Sequence, residues 1–232
     1  MISDSSNITE MDLESVPPIN AEYWSTFYQT NEDDDEVYEE ALTESNTLVD
    51  RAAQLWDWKD LSRGVPFDAV QPTLESIDVN RYLEMDSDAA VEALGQRFVS
   101  DGALANATVV APAFVLHVAD SDWGAYSQRF PIFDARVWTA FVYLTDRRDG
   151  SDRLPAGATT STSKYGEFVD FFRRTIPDHI DGRTYERGLF SFGSYIDGLA
   201  VENISEIREH IENMEAVISD YADATDSYLT RV

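Results

Sequence analysis

Apolar residues in this chain recur at spacings of three and four and nowhere alternate with polar ones over a strand's length, so the pattern predicts helices throughout. Tyr23, Trp24, Phe27 and Tyr28 share one aromatic face of a short first helix. Asp33-Asp34-Asp35-Glu36 open a second, where carboxylates suit the positive end of the helix dipole. Ser45 is the expected cap of a third, with Leu48, Val49, Ala52, Ala53, Leu55 and Trp56 as its buried stripe. Trp58 to Gly64 ends that helix in a turn, and segment 66–84, broken by Pro66 and Pro72, reads as irregular. Asp86 begins the next helix, with Val91, Leu94, Phe98 and Val99 inward and Gly102 just past its end.

Ala107 to Ala119 is apolar nearly all round, which marks a central helix; Pro112 either kinks it or lies in its true first turn. A loop over 120–133 leads to Asp134 at the head of a helix over 135–148 that buries Val137, Trp138, Phe141, Val142 and Leu144. Helices over 164–176 (Phe168, Val169, Phe171, Phe172) and 184–199 (Leu189, Phe190, Phe192, Ile196) follow. A last helix over 203–228 carries Ile204, Ile207, Ile211, Met214, Ile218 and Tyr221 as a short heptad seam, which either packs on its own domain or pairs two copies into a homo-oligomer. The expected architecture is all-α: a flexible acidic arm over 1–20, a compact orthogonal multi-helix domain over 21–200, and a long C-terminal amphipathic helix over 201–232.

Composition then changes the picture. Formal net charge is −27 on 232 residues, with 44 Asp and Glu against 17 Lys and Arg. Hydrophobic content of 43% argues against a disordered chain. Lysine is confined to Lys59 and Lys164 while arginine is plentiful, the composition of a protein adapted to molar salt. At about 1 M salt the Debye length is roughly 3 Å, so this self-repulsion is screened. There is no cysteine, and His117, His179 and His210 are too far apart to suggest a metal site, so no metal and no cofactor are expected. No apolar run approaches the roughly 18 residues that span a bilayer, and the N-terminus lacks a signal pattern. The expectation is a cytoplasmic protein without membrane contact.

Charge is spread unevenly. Segment 1–60 holds 16 acids and 2 bases, whereas 129–187 holds 9 acids against nine arginines and Lys164. Within that balanced stretch lies Phe130-Pro131-Ile132-Phe133-Asp134-Ala135-Arg136-Val137, followed by Leu189-Phe190-Ser191-Phe192-Gly193. The order resembles the second half of the helix-hairpin-helix DNA glycosylases of the endonuclease III type, over roughly 105–200. In that family a Val-Asp-Thr-His-Val-x-Arg stretch follows the hairpin and precedes a Gly-containing helix. The resemblance implies duplex DNA as partner and Asp134 as the catalytic aspartate, stabilising the sugar cation of an extruded nucleotide or activating water. Trp138, Trp123 and Tyr126 would stack on the base, and Arg129, Arg136, Arg147, Arg148, Arg173 and Arg174 would hold phosphates.

The chain departs from the family in two places. The stretch corresponding to the hairpin, Ala103 to Val109, lacks the family's glycines, which weakens backbone anchoring of a phosphate. Where lyase members carry a nucleophilic lysine it has Ala111, Pro112, Ala113 and Phe114, so the implied chemistry is monofunctional, with neither Lys59 nor Lys164 in register. Plainer readings stand beside these: Asp134 as a simple cap, His117 as a hydrogen-bonded core residue, the paired arginines as dipole partners at helix ends, and the whole as a non-catalytic helical scaffold.

Overall fold

The computed structural model describes residues 19–28, 32–45, 47–120, 126–146, 153–199, 203–214 and 216, with side chains of the second helix described from Glu36. Among them every regular element is helical. In chain order these are α1 (Ala21–Ser25), α2 (Glu32–Glu44), α3 (Leu48–Trp58), α4 (Phe67–Ser76), α5 (Asn80–Leu83), α6 (Ser87–Ser100), α7 (Val110–Ala119), α8 (Ala135–Thr145), α9 (Thr162–Thr175) and α10 (Gly182–Gly198). An eleventh, α11, covers 204–214.

α7 occupies the middle. Each of its residues from Ala111 to Val118 is buried, as its unbroken apolar run requires. Pro112 lies in its first turn, where a missing N–H costs nothing because that donor has no partner inside the helix. α6 ends at Gly102, whose φ of 77° suits glycine, and the chain turns back so that α6 packs on α7.

Around this pair, α3 contacts α2, α4 and α7, while α10 packs on α1 and α8. Close approach there depends on two glycines. A methyl group at Gly188 would stand 2.7 Å from the Ala21 carbonyl oxygen, and one at Gly193 would collide with the Arg136 carbonyl. The first turn of α8 is therefore clamped by the backbone of α10.

Several local expectations are corrected. The cap of α3 is Thr47, whose Oγ accepts from the Asp50 amide; Ser45 instead accepts from Gln54. Ala53 faces out, because the stripe that reaches the core is Ala52, Leu55 and Trp56. Segment 66–84 is mostly helix: Pro66 caps α4 rather than breaking it, and Pro72 is carried inside. The end of the presumed arm belongs to the domain, since Asn20 caps α1 and Ile19 packs on the core; residues 1–18 lie outside the described residues. In α11, Ile204, Ile207 and Ile211 are buried within this chain, so the described part of the seam packs inward. Its remaining members, Ile218 and Tyr221, lie outside the described residues.

Candidate functional site

Asp134 stands at the head of α8 in extended backbone, and its Oδ1 accepts from the amides of Arg136 (2.9 Å) and Val137 (3.0 Å). This is an N-cap, which the residue type and the following apolar run both favour. Its other oxygen, Oδ2, accepts from the Lys59 ammonium at 2.5 Å. The two side chains are only 18% and 10% exposed. Burial alone would push the Asp134 carboxyl up; the Lys59 charge and hydrogen bond, the Val137 amide and Arg136 outweigh it, and the net direction is down. The carboxylate is held ionised. Lys59 closes α3 as its C-terminal cap, so the pair ties α3 to α8 across 75 residues of sequence.

Beside it lies a second charged group on α10. Arg183 donates to Glu186 at 3.0 Å, and both are withdrawn from solvent. The Arg183 guanidinium lies 4.2 Å from the centre of the Tyr38 ring and 5.2 Å from that of Trp58, cation–π contacts that offset lost hydration. Burial pushes the Glu186 carboxyl up; the Arg183 and Lys59 charges work against this and do not cancel it. Tyr28, over which Arg183 and Arg187 also lie, is pushed up to about 12 by burial and by Glu186.

Behind Tyr38 the tautomer of His117 can be read from its partners. Nδ1 lies 2.7 Å from the Phe130 carbonyl, which only accepts, so Nδ1 carries the proton. Nε2 is therefore a lone pair, and the Tyr38 hydroxyl donates to it at 2.6 Å. Burial lowers the His117 pKa to about 3, so the ring is neutral. The hydrogen-bonded core reading of His117 describes it well: the ring joins α2 to the loop that delivers Asp134.

A cavity of about 480 Å³ opens beside Arg183, lined by Tyr38, Tyr126, Arg183 and Arg187, by the carboxylates Glu39 and Asp181, and by Leu42, Thr43 and Thr184; Asp134 is not on its wall. Tyr126 braces the same loop, its hydroxyl accepting from the Ile132 amide at 2.8 Å.

Of the residues picked from sequence, the structure brings Asp134 and Tyr126 to this part of the molecule. Trp138 is buried at 5% against Phe133 and Phe141, so the structure does not present its ring at the surface. The expected phosphate ligands do not converge. Arg129 and Arg173 share a separate groove with Asp86, Asp88, Glu167 and Asp170, whose carboxylates offset them. Arg136 lies over Phe190 on the outside of α8, and Arg174 is exposed in the last turn of α9. Trp123, Arg147 and Arg148 lie outside the described residues.

Lys59, Arg183, Glu186 and Arg187 were not singled out. The rarity of lysine could have pointed to Lys59, since a chain that otherwise uses arginine kept an ammonium there. Arg183, Glu186 and Arg187 follow one another at helical spacing beside apolar neighbours, a weaker signal. Comparison of the chain with family models, curated proteins and solved structures yields no match.

Proposed function

We propose that the chain is a divergent DNA glycosylase of the helix-hairpin-helix type, with Asp134 as its carboxylate. The observation that carries the reading is a partly covered aspartate, its carboxyl pulled down, fixed at a helix head and paired with a lysine. In this reaction the C1′–N bond breaks, its electron pair leaves on the base, and Asp134 stabilises the positive charge developing on the sugar. Water then forms the new C1′–O bond and gives its proton to the carboxylate. The turn between α6 and α7 and the order α7, Asp134 loop, α8 also support this reading.

Beside monofunctional excision we also propose a lyase step, because the Lys59 ammonium lies 2.5 Å from Asp134, at the end of α3 rather than in the hairpin stretch. That amine, once neutral, can attack C1′ as the base leaves; the C1′–O4′ bond then breaks, O4′ takes the proton shed by the nitrogen, and an imine is left.

A second reading, a helical scaffold without turnover, is favoured by one observation: both oxygens of Asp134 already have partners within the chain. The experiment separates the two. Duplexes carrying deaminated, oxidised or alkylated bases are incubated in molar KCl with wild type, Asp134→Asn and Lys59→Met, with borohydride added in parallel. The glycosylase reading expects excision by wild type and a loss on the order of 10²-fold in Asp134→Asn. A borohydride-trapped adduct absent from Lys59→Met would identify the amine as nucleophile. Excision by none of the proteins establishes the scaffold.

A further inference from the structure

Trp138 is inside the core, so a base brought to Asp134 needs another flat surface, and the head of α8 carries one. The Arg136 guanidinium lies over the Phe190 ring, 5.1 Å from its centre. Gly193 lets α10 press against the Arg136 backbone, and Phe190 stands one turn before it on the same helix face. Tyr28, in the chain just after α1, meets Phe190 edge-on at 5.1 Å and braces the ring. Arg136 is exposed, Phe190 is half-buried, and among the described residues the Arg136 guanidinium makes no hydrogen bond or ion pair. The Arg136 amide donates to Asp134 at 2.9 Å, so this surface adjoins the carboxylate. Asp134 and Asp197 both act on Arg136, which leaves the surface no surplus of positive charge. What it offers is a plane: a guanidinium laid on an aromatic ring keeps its outer face for a second flat group.

We infer that Arg136, backed by Phe190, is a stacking platform for an unpaired base of single-stranded DNA, and that it sets that base down beside Asp134. The inference rests on DNA as the ligand of the Asp134 site, and not on turnover there. A base inside an intact duplex has both faces covered by its neighbours, so the platform selects an open strand or a nucleotide already extruded. Binding driven by phosphates falls steeply as salt rises, because it depends on the release of counterions. Stacking does not, and a surface whose charges already balance has little else to offer. Affinity should therefore hold in the molar salt for which the composition is suited.

Fluorescence anisotropy of labelled DNA strands of about eight nucleotides, titrated with the protein between about 1 and 3 M KCl, tests it. A strand of deoxyadenosines is the probe; an abasic strand of the same length has the same phosphates and no bases, and a duplex of the same sequence has its bases paired. The expected result is saturable binding of the adenine strand that holds across this salt range, and is weakened about 10-fold or more for the abasic strand and the duplex. Arg136→Lys keeps the charge and loses the plane, so it should cost about as much as Arg136→Gln, on the order of 10-fold. Arg136 is exposed, so both variants should retain the far-UV circular dichroism of wild type. Phe190→Leu, which removes the backing ring, should weaken the adenine strand and leave the abasic strand unchanged. Absence of saturable binding by the adenine strand, equal binding of the abasic strand, an affinity that drops steeply with salt, or full binding by a folded Arg136→Lys would each overturn the assignment. Strand binding without excision keeps the platform and removes the glycosylase, whereas excision that a folded Arg136→Lys retains in full removes the platform alone.

Discussion

Lys59 and Asp60 are neighbours at the end of α3, and they enter opposite kinds of ion pair. Lys59 turns inward to Asp134, with side chains 10% and 18% exposed; Asp60 turns outward to Arg63, at 56% and 84%. The backbone makes the division, because Asp60 adopts a left-handed conformation (φ 60°) that reverses the chain after the last helical turn. In molar salt the outer pair is screened to almost nothing, while the inner one, largely withdrawn from solvent, is screened far less. An acidic coat and a charged interior thus coexist a single peptide bond apart, under different rules.

Within the interior the two buried pairs also differ. Asp134 has a lysine and two backbone amides, and its carboxyl is pulled down. Glu186 is buried, and that burial, helped by the repulsion of Asp134, pushes its carboxyl up despite Arg183 at 3.0 Å. The Lys59 charge and hydrogen bond do most to hold the Asp134 charge against burial, and the Val137 amide at the helix head, a fixed dipole that needs no reorganisation, adds to them.

The largest expected effect comes from leaving the inner carboxylate without its counterion. Lys59→Met should destabilise the fold by about 3–5 kcal/mol, the cost of stranding a buried charge. Urea unfolding in molar KCl measures it. Lys59→Met combined with Asp134→Asn should recover most of that loss, since asparagine still caps α8 and carries no charge. Equal destabilisation by the single and double variants would show that Lys59 acts through packing of its stem and not through charge.

Acidification sharpens the contrast between interior and coat. Burial lowers the folded-state pKa of His117 to about 3, below the 6.5 of an ordinary imidazole side chain. The unfolded chain therefore gains a proton first, so stability is complete above about pH 6.5 and falls as pH drops from there toward 3, by up to about 1.4 kcal/mol per unit. Asp134, whose carboxyl is also lowered, adds a loss only below its ordinary value of 3.8. Glu186 works the other way, its raised pKa returning some stability as it protonates. Stability measured across pH 7 to 5 should fall in wild type and stay flatter in His117→Gln, whose side chain has no charge to gain.

These same residues mark where the sequence could be read and where it could not. Helix period, the Asp134 cap and the central apolar helix depend on neighbours within a few positions, and the pattern carries them. Segment 66–84, less regular in its pattern, holds α4 and α5 because both prolines fit into or just before α4, a matter of local geometry that a proline alone does not declare. The site was legible only at Asp134 and Tyr126. Lys59 meets the aspartate across 75 residues, and Arg183 meets Tyr38 from the opposite end of the chain; no spacing rule joins such partners. Trp138 misled for the reverse reason, since an aromatic beside a candidate catalytic residue reads as a stacking platform until packing against Phe133 and Phe141 places it inside.

The smallest expected effect tests the other half of the contrast. Arg63→Ala removes the partner of Asp60 in a pair that stands almost wholly in solvent. Its two side chains already contact water and salt, so the change should stay within about 0.5 kcal/mol in molar KCl. Lowering the salt lengthens the Debye screening distance and lets the −27 charge of the chain act on itself, so removing one of only 17 basic residues should then cost more than it did. The penalty of Lys59→Met, set by desolvation, should shift far less over the same range. Unfolding of both variants at a series of KCl concentrations gives the two slopes. Parallel slopes would mean that the inner pair is reached by solvent after all, and the division drawn at Lys59 and Asp60 would have to be given up.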